Sequence, residues 1–295
     1  MRTAWSLIRE SVRAFAADNG PRLAAALSYY TIFSLAPLII ILLAFLGVIF
    51  GEATARSELL AFVTEEAGEQ IAVFVDGLVS SLAEGTGQTA AVIGFVILLF
   101  AATNLFTALQ GALNTIWQVE EYRYQGFMRL LFMRVMSLAI MAVLAVIAAV
   151  ALATQTAMGW AAAGLAARFS GLGWLITVLE HAVALVMFTL MFIAAHKILV
   201  HRRVGWRAVV VGALLTAVLF RLGEQLIAAY LGMGMIASVF GAAGSLVALL
   251  LFIYYSMQIF LLGASFTRVY DTWLLGGSVP GAGSAGGRDS QAAAR

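Results

Sequence analysis

Three residues that can carry charge or hydrogen bonds interrupt a strongly apolar run of this sequence: Arg221, Glu224 and Gln225. Their spacing of three and four residues places them on one face of a helix. A charged side chain that faces hydrocarbon costs about 2.5 kcal/mol or more. We therefore expect this face to point toward other helices.

Two further ionisable residues, Glu180 and His181, stand in a second apolar run. If the two runs cross a membrane in opposite directions, Glu180 and His181 lie at the same depth as Arg221 and Glu224, and Glu180 becomes the partner that we favour for Arg221 over Glu224. A cross-helix pair fixes geometry, whereas a pair on one helix does not. The histidine beside a carboxylate could relay protons, or it could serve only as a hydrogen-bond donor.

Other polar residues recur at helical spacing and could extend this interior cluster. A polar stripe is predicted at Asn104, Thr107, Gln110 and Asn114. Residues that could line a pore or only pack are Tyr29, Tyr30, Ser34, Pro37, Tyr255 and Gln258. A flexible loop or hinge is indicated by Gly232, Gly234, Gly241 and Gly244, although close helix packing explains glycines equally simply.

These polar groups allow two interpretations. They could line a path for a substrate or an ion, or they could join helices as structural hydrogen bonds and ion pairs. The residue types alone leave both open.

The elements that must position these residues are membrane-spanning helices. Of 295 residues, 63% are hydrophobic and 11% are charged, against about 25% charged in soluble domains. Runs of this length and apolarity can cross a bilayer. The sequence thus predicts an all-α, polytopic integral membrane protein with six spans at about 23–50, 90–117, 135–158, 173–196, 208–230 and 245–268, and Pro37 should kink the first.

The distribution of basic residues predicts the orientation of the spans. Fourteen Lys and Arg residues fall in the termini and in the loops 118–134 and 197–207, whereas the alternate loops hold only Arg56 and Arg168. Positive loops stay in the cytoplasm, so both termini should be cytoplasmic. The predicted domain is 23–270, followed by a disordered cytoplasmic tail at 271–295 that is rich in Gly, Ala and Ser.

Two segments outside the spans show amphipathic patterns. The acidic extracytoplasmic insert at 51–89 should form two short helices, and its carboxylates form either a cation-gathering mouth or a plain solvated face. In the N-terminal segment 1–22, an apolar stripe is formed by Trp5, Ile8, Val12 and Phe15. This helix either lies in the membrane interface, with arginines toward anionic lipid headgroups, or packs on the bundle.

Several classes of site are excluded or disfavoured. The chain has no cysteine, so thiolate metal sites and cysteine nucleophiles are excluded, and its three histidines lack metal-ligand spacing. No cofactor and no nucleic-acid partner are expected, because the basic residues form no single patch. The expected partners are membrane lipids, and a second copy of the chain is a candidate.

The sequence also resembles a known family. The C-terminal part reads AAYLGMGMIASVFGAAGSLVALLLFIYYSMQIFLLGASFTRVYD from residue 228. With AAALSYYTIFSLAPLIIIL at 24–42, ALNTIWQV at 112–119 and VGWRAVVVGALLTAVLF at 204–220, this resembles the YihY/virulence factor BrkB family, once labelled ribonuclease BN. The resemblance implies a bacterial inner-membrane protein of about six helices. Ser265 and Phe240 depart from the acidic residue and the tyrosine that the family tends to have there.

Three functions follow as hypotheses. The first is a secondary transporter or exporter of an envelope-related solute, lipid or ion, since no Walker A motif is present. The second is a non-transporting membrane scaffold that supports envelope integrity. An enzyme, and a ribonuclease in particular, is not expected, because the cytoplasmic loops are too short for an active site.

Overall fold

The computed structural model describes residues 2–83, 104–119, 146, 149–150, 153–154, 157, 159, 173–200, 204–232, 240 and 243–276. In this part of the chain the regular structure is helical and includes no strand. The predicted all-α class is confirmed for these residues. The helices, numbered here in chain order, are α1 (Arg2–Ala17), α2 (Gly20–Phe50), α3 (Glu52–Ala67), α4 (Glu69–Ala83), α5 (104–117), α6 (Gly173–Leu199), α7 (Trp206–Gly232) and α8 (Gly244–Leu274).

Three helices begin and end close to predicted spans. The helices α2, α6 and α7 match the predictions 23–50, 173–196 and 208–230 within three residues at either end. For the second span only 104–117 lies within the described residues, and most of the predicted third span lies outside them. Helix α2 continues through Pro37 from Gly20 to Phe50.

The last helix extends further than the predicted last span at 245–268. Helix α8 runs to Leu274, past the predicted tail start at 271. The physical reason is that Asp271 is buried and accepts a hydrogen bond from the backbone N–H of Gly205 at 3.1 Å. This contact holds the last turn of α8 against the start of α7.

The helices surround two hydrophobic cores, stacked along α2 and α8. The first core joins the N-terminal half of α2, α5, α6, α7 and the C-terminal half of α8, with Leu27, Trp117, Phe192, Val209 and Leu261 among its members. The second joins the C-terminal half of α2, the helices α3 and α4, and the N-terminal half of α8. Residues of α2 and α8 belong to both cores, so these two helices connect the cores.

Helices α7 and α8 pack closely through two reciprocal contacts. Thr267 of α8 lies over Gly212 of α7, and Thr216 of α7 lies over Gly263 of α8, so that a Cβ at either glycine would clash with the threonine hydroxyl. Each threonine is fully buried and donates its hydroxyl to the carbonyl four residues earlier, at 2.7 Å. Small residues thus let the two backbones approach, as is common between membrane helices.

The predicted pair of amphipathic helices at 51–89 is present as α3 and α4. Gly51 and Gly68 precede them with φ of 84° and 93°, a conformation that favours glycine. The predicted apolar positions face the second core, with Leu59, Ile71 and Val75 buried. Across the hairpin, Arg56 of α3 forms an ion pair with Asp76 of α4 and also contacts Ser80.

Helix α1 packs on the bundle through a face that differs from the predicted stripe. Leu7, Ser11 and Phe15 are buried, and α1 contacts α2 and α8. Of the predicted stripe, only Phe15 is buried, and Trp5, Ile8 and Val12 are exposed. The alternative in which this stripe packs on the bundle is therefore wrong. The spacing 7, 11, 15 follows the helix period as well as 5, 8, 12, 15 does, and tertiary contacts selected the former. The location of the exposed stripe in a membrane interface stays a prediction.

Candidate functional site

The charged pair of α7 is the starting point of the candidate site. Arg221 Nη1 donates to Glu224 Oε2 at 3.1 Å, with the two side chains 20% and 6% exposed. The guanidinium also lies over the ring of Phe188 of α6, 5.8 Å from its centroid. Arg221 is 15 residues from the start of α7 and Glu224 is eight residues, or roughly 12 Å, from its end. The charges therefore lie well inside the helix.

The surroundings of this pair are aromatic and closely packed. Tyr255 of α8 packs directly on Gly223, where a side chain on α7 would clash with the phenol ring. Phe220, one turn before Glu224, contacts Phe188 with ring centroids 5.2 Å apart. The predicted position of Tyr255 in the interior is consistent with this contact, and Gln258 is half-buried one turn further along α8.

The structure joins only part of the predicted five-residue cluster. Gln225 and His181 are exposed, so their predicted interior placement is wrong. The reason lies in helix geometry, because Glu224 faces the bundle and Gln225 is turned about 100° from it. Glu180 belongs to α6, but its side chain lies outside the described residues, so our preference for it as the partner of Arg221 stays a prediction.

The predicted polar stripe of α5 does not form the buried face of that helix. Asn104, Gln110 and Asn114 are half-buried, and Thr107 is exposed, so interior placement is wrong for Thr107. The buried face carries Phe106, Ala112, Leu113, Ile116 and Trp117 instead. These larger apolar side chains remove more surface from solvent and decide the rotation of the helix.

The remaining predicted residues divide between buried and exposed positions. Ser34 is buried, but its hydroxyl donates to the carbonyl of Thr31. Tyr29 is 59% exposed and Tyr30 is also exposed, so these two do not line an interior surface. The rings of Tyr29 and Phe33 contact each other on that outer face of α2. Pro37 is part of α2, but its side chain lies outside the described residues.

The predicted glycine loop is only partly described. Gly232 ends α7 and Gly244 begins α8, where it is buried. Gly234 and Gly241 lie outside the described residues, so the hinge stays a prediction. The two departures from the family pattern differ in environment, because Ser265 is fully buried and bonded to Leu261 O within α8, whereas Phe240 is exposed.

An apolar cavity of about 320 Å³ lies where the two cores meet. Among the described residues five helices line it, and Thr31, Leu109, Met191, Phe220 and Met257 represent α2, α5, α6, α7 and α8. Its two hydroxyl-bearing residues, Thr31 and Ser256, donate to carbonyls of their own helices at 2.8 Å. The cavity surface is therefore apolar, and Phe220 connects the cavity to the charged pair.

Sequence reasoning missed a second polar cluster at the C-terminal end of α8. Arg268 forms an ion pair with Asp18, 3.0 Å away in the α1–α2 turn, and it donates to the carbonyl of Ile116. The Asp18 contact is an ion pair by distance, but that carboxylate oxygen makes no hydrogen bond. Because Ile116 lies in the last turn of α5, the arginine satisfies a helix carbonyl that lacks an intrahelical partner.

The same end of the bundle contains other polar contacts. Lys197 Nζ donates to Val204 O at 2.7 Å and lies 4.3 Å from the centroid of the Trp206 ring. His196 is buried and its Nδ1 donates to Phe192 O at 2.7 Å. One feature of the sequence could have indicated this cluster. Arg268 and Asp271 are three residues apart at the end of the last span, a spacing that predicts a shared helix face. The arrangement ties α1, α5, α7 and α8 together.

Among the described residues, no group of three His, Asp or Glu side chains is arranged so that it could hold a metal ion. By length and apolarity, two described helices could cross a membrane, Trp206–Ile227 and Gly244–Leu274, and a shorter apolar segment is His181–Lys197. The charged pair of Arg221 and Glu224 thus lies within a candidate membrane span.

The chain is similar to a known protein family and to named membrane proteins. The model of a family described as "Virulence factor BrkB" matches residues 11–277. The chain is similar to a UPF0761 membrane protein of Pseudomonas paraeruginosa, with 27% identity over 256 residues that cover 85% of this chain and 59% of the relative. A relative in Stenotrophomonas maltophilia is 29% identical over 82% of this chain and 55% of its own.

A third relative, a UPF0761 membrane protein of Pseudoalteromonas translucida, is 26% identical over 83% of this chain and 79% of its own length. The chain spans about three fifths of the length of the first relatives. No solved structure matches significantly. The family match and the relatives, all called membrane proteins, confirm the predicted resemblance and a location in a membrane.

Proposed function

Because the chain belongs to the virulence factor BrkB family, we propose that it is a secondary transporter or exporter in a bacterial inner membrane. It moves an envelope-related solute, lipid or ion through the helical bundle. The observation that carries this proposal is the Arg221–Glu224 pair, which lies in a candidate membrane span beside an apolar cavity, with Glu224 buried and Arg221 partly buried.

Charged residues inside a membrane are costly, so they mark functional sites more often than apolar residues do. The Arg221–Glu224 contact itself joins two residues of one helix, and an i,i+3 pair can form without a neighbouring helix, so this contact alone adds little to a scaffold. The pair is useful in a substrate path, because either charged side chain can leave the other and bind a polar group of the passing substrate instead. The aromatic contacts of Phe188 and Tyr255 hold the pair on the inner side of α7.

A water path to the pair is the property that distinguishes transport from a packed scaffold. The chain has no cysteine, so single cysteines can be introduced without other changes. We place them at Ile227 and Tyr255, which lie one turn beyond Glu224 and against Gly223. In vesicles of both orientations, a membrane-impermeant thiol reagent should modify both cysteines from at least one side.

The matched control is Leu226→Cys, which lies beside Ile227 at the same depth but is exposed on the outer face of α7. Hydrocarbon disfavours the reactive thiolate, so this cysteine should react much more slowly. If Ile227→Cys and Tyr255→Cys remain unmodified from both sides, the interior is dry. That outcome removes the transport proposal and favours the scaffold, which needs only packing.

A further inference from the structure

We propose that the apolar cavity between the two cores binds one acyl chain of a membrane phospholipid, so that the solute class handled by this bundle is an acyl-chain amphiphile. The inference rests on the proposed function, because it names the chemical class for that site. It starts from the cavity of about 320 Å³ and the five helices that line it.

The lining decides which kind of molecule fits. Met191, Phe220, Phe252 and Met257 present only carbon and sulfur to the cavity. The hydroxyls of Thr31 and Ser256 are already donated to Leu27 O and Phe252 O. A buried water needs two to four polar partners, which this lining does not offer, so the cavity favours an apolar occupant.

The volume decides how much hydrocarbon fits. A cavity of about 150 Å³ accepts one benzene molecule. The volume here is about 320 Å³, roughly twice as large, which suits about a dozen carbons of one chain. Two chains would not fit, so the second chain of a phospholipid would stay in the bilayer.

The surroundings decide the source of that chain. Leaving this volume empty would deprive its aromatic and methionine side chains of contacts on one side. Two of the helices that line the cavity, α7 and α8, are candidate membrane spans, and phospholipid tails are the most abundant apolar molecules around such a protein. The flexible methionines at 191 and 257 suit a chain of variable shape.

The position of the charged pair indicates that the solute has a polar end as well as an acyl chain. Phe220 lines the cavity and stands one turn before Glu224 on α7. An amphiphile whose chain occupies the cavity would therefore carry its polar end toward Arg221 and Glu224. An ion or a fully polar solute would have no use for the apolar part of this arrangement.

The test uses the whole 295-residue chain in nanodiscs that contain phosphatidylglycerol with a photoactivatable diazirine in the middle of one acyl chain. Cross-links mapped by mass spectrometry should fall on Met191 and Met257, as well as on lipid-facing residues such as Leu222. Two variants fill the cavity from different helices, Ala195→Phe on α6 and Ser256→Leu on α8. Either variant should lose the cross-links at the methionines and keep those at Leu222.

The matched control is Ala182→Phe, which adds the same bulk at an exposed position of α6 and should keep every cross-link. As a second readout, added phosphatidylglycerol should raise the Tm of the delipidated parent protein and of Ala182→Phe, but not that of a filled variant. Cross-links confined to lipid-facing residues, or cavity cross-links that both filled variants retain, would overturn the inference. Labelling of the cavity by a free diazirine fatty acid but not by the phospholipid would overturn it too.

The two proposals can fail separately. Cross-linked cavity residues in a protein whose Ile227→Cys and Tyr255→Cys stay unmodified would leave a lipid site without transport. Modified cysteines in a protein without cavity cross-links would leave a path whose solute has no acyl chain.

Discussion

At the scale of single residues, the Arg221–Glu224 pair allows a direct energetic test. Removing one partner leaves the other charge buried and unpaired, which costs about 3–5 kcal/mol in a buried pair. Glu224 is only 6% exposed, so Arg221→Leu should destabilise the protein strongly. The double variant with Glu224→Leu should cost less than the sum of both single variants, as measured by thermal unfolding in detergent.

The same cycle with Glu180→Leu serves as the control for a cross-helix partner. Strong coupling of Arg221 to Glu180, together with additive effects at Glu224, would show that the 3.1 Å contact on α7 is not the one that neutralises the arginine. Coupling at both sites would describe a three-residue network.

The residue scale is also where sequence reasoning was least reliable. Spacing correctly placed Arg221 and Glu224 on one side of a helix, but it could not decide that Gln225 faces outward. Helix periodicity gives the relative angles of side chains, whereas the absolute rotation follows from large apolar neighbours such as Phe220 and Ile227. Arg268 is far in sequence from its partners Asp18 and Ile116. Its spacing to Asp271 indicates a shared helix face, but it does not identify these partners.

At the scale of elements, the reciprocal Thr–Gly contacts of α7 and α8 predict a specific packing defect. Gly212→Ala and Gly263→Ala should each destabilise the protein, because the new Cβ meets a threonine hydroxyl of the facing helix and overpacking costs about 1–3 kcal/mol. The measurement is the change in Tm in detergent, compared with the parent.

The control is Gly111→Ala on α5, where a Cβ meets nothing within 4 Å. This change should be neutral or stabilising, since alanine favours a helix by about 1 kcal/mol over glycine. Adding Thr267→Gly to Gly212→Ala removes the clash and should recover part of the loss. If Gly212→Ala were as well tolerated as Gly111→Ala, the close approach of α7 and α8 would be wrong.

Elements were the most predictable level of this protein. The apolar runs that became α2, α6, α7 and α8 are long, and their ends coincide with charges, glycines or prolines, so their bounds were predicted within a few residues except at the C-terminal end of α8. The apolar pattern of the hairpin correctly indicated α3 and α4. The packing face of α1 was not predictable, because Leu7, Ser11 and Phe15 match the helix period no better than Trp5, Ile8 and Val12 do, and the choice depends on α8.

At the scale of the whole molecule, the predicted topology is six spans with both termini in the cytoplasm. It rests on the fourteen basic residues on one side against two on the other, and the hairpin of α3 and α4 then lies outside. Alkaline phosphatase, which is active only outside the cytoplasm, should be active when fused after residue 70 and inactive when fused after residue 285.

Cysteine labelling supplies a control that does not truncate the protein. Glu69 is exposed on the hairpin, so Glu69→Cys should react with an impermeant reagent in intact cells. Arg13→Cys on α1 should react only after lysis. Activity at 285, or silence at 70, would require an odd number of spans or the opposite orientation. In the inverted orientation the Arg268–Asp18 cluster would lie at the outer surface, against the bias that basic residues show.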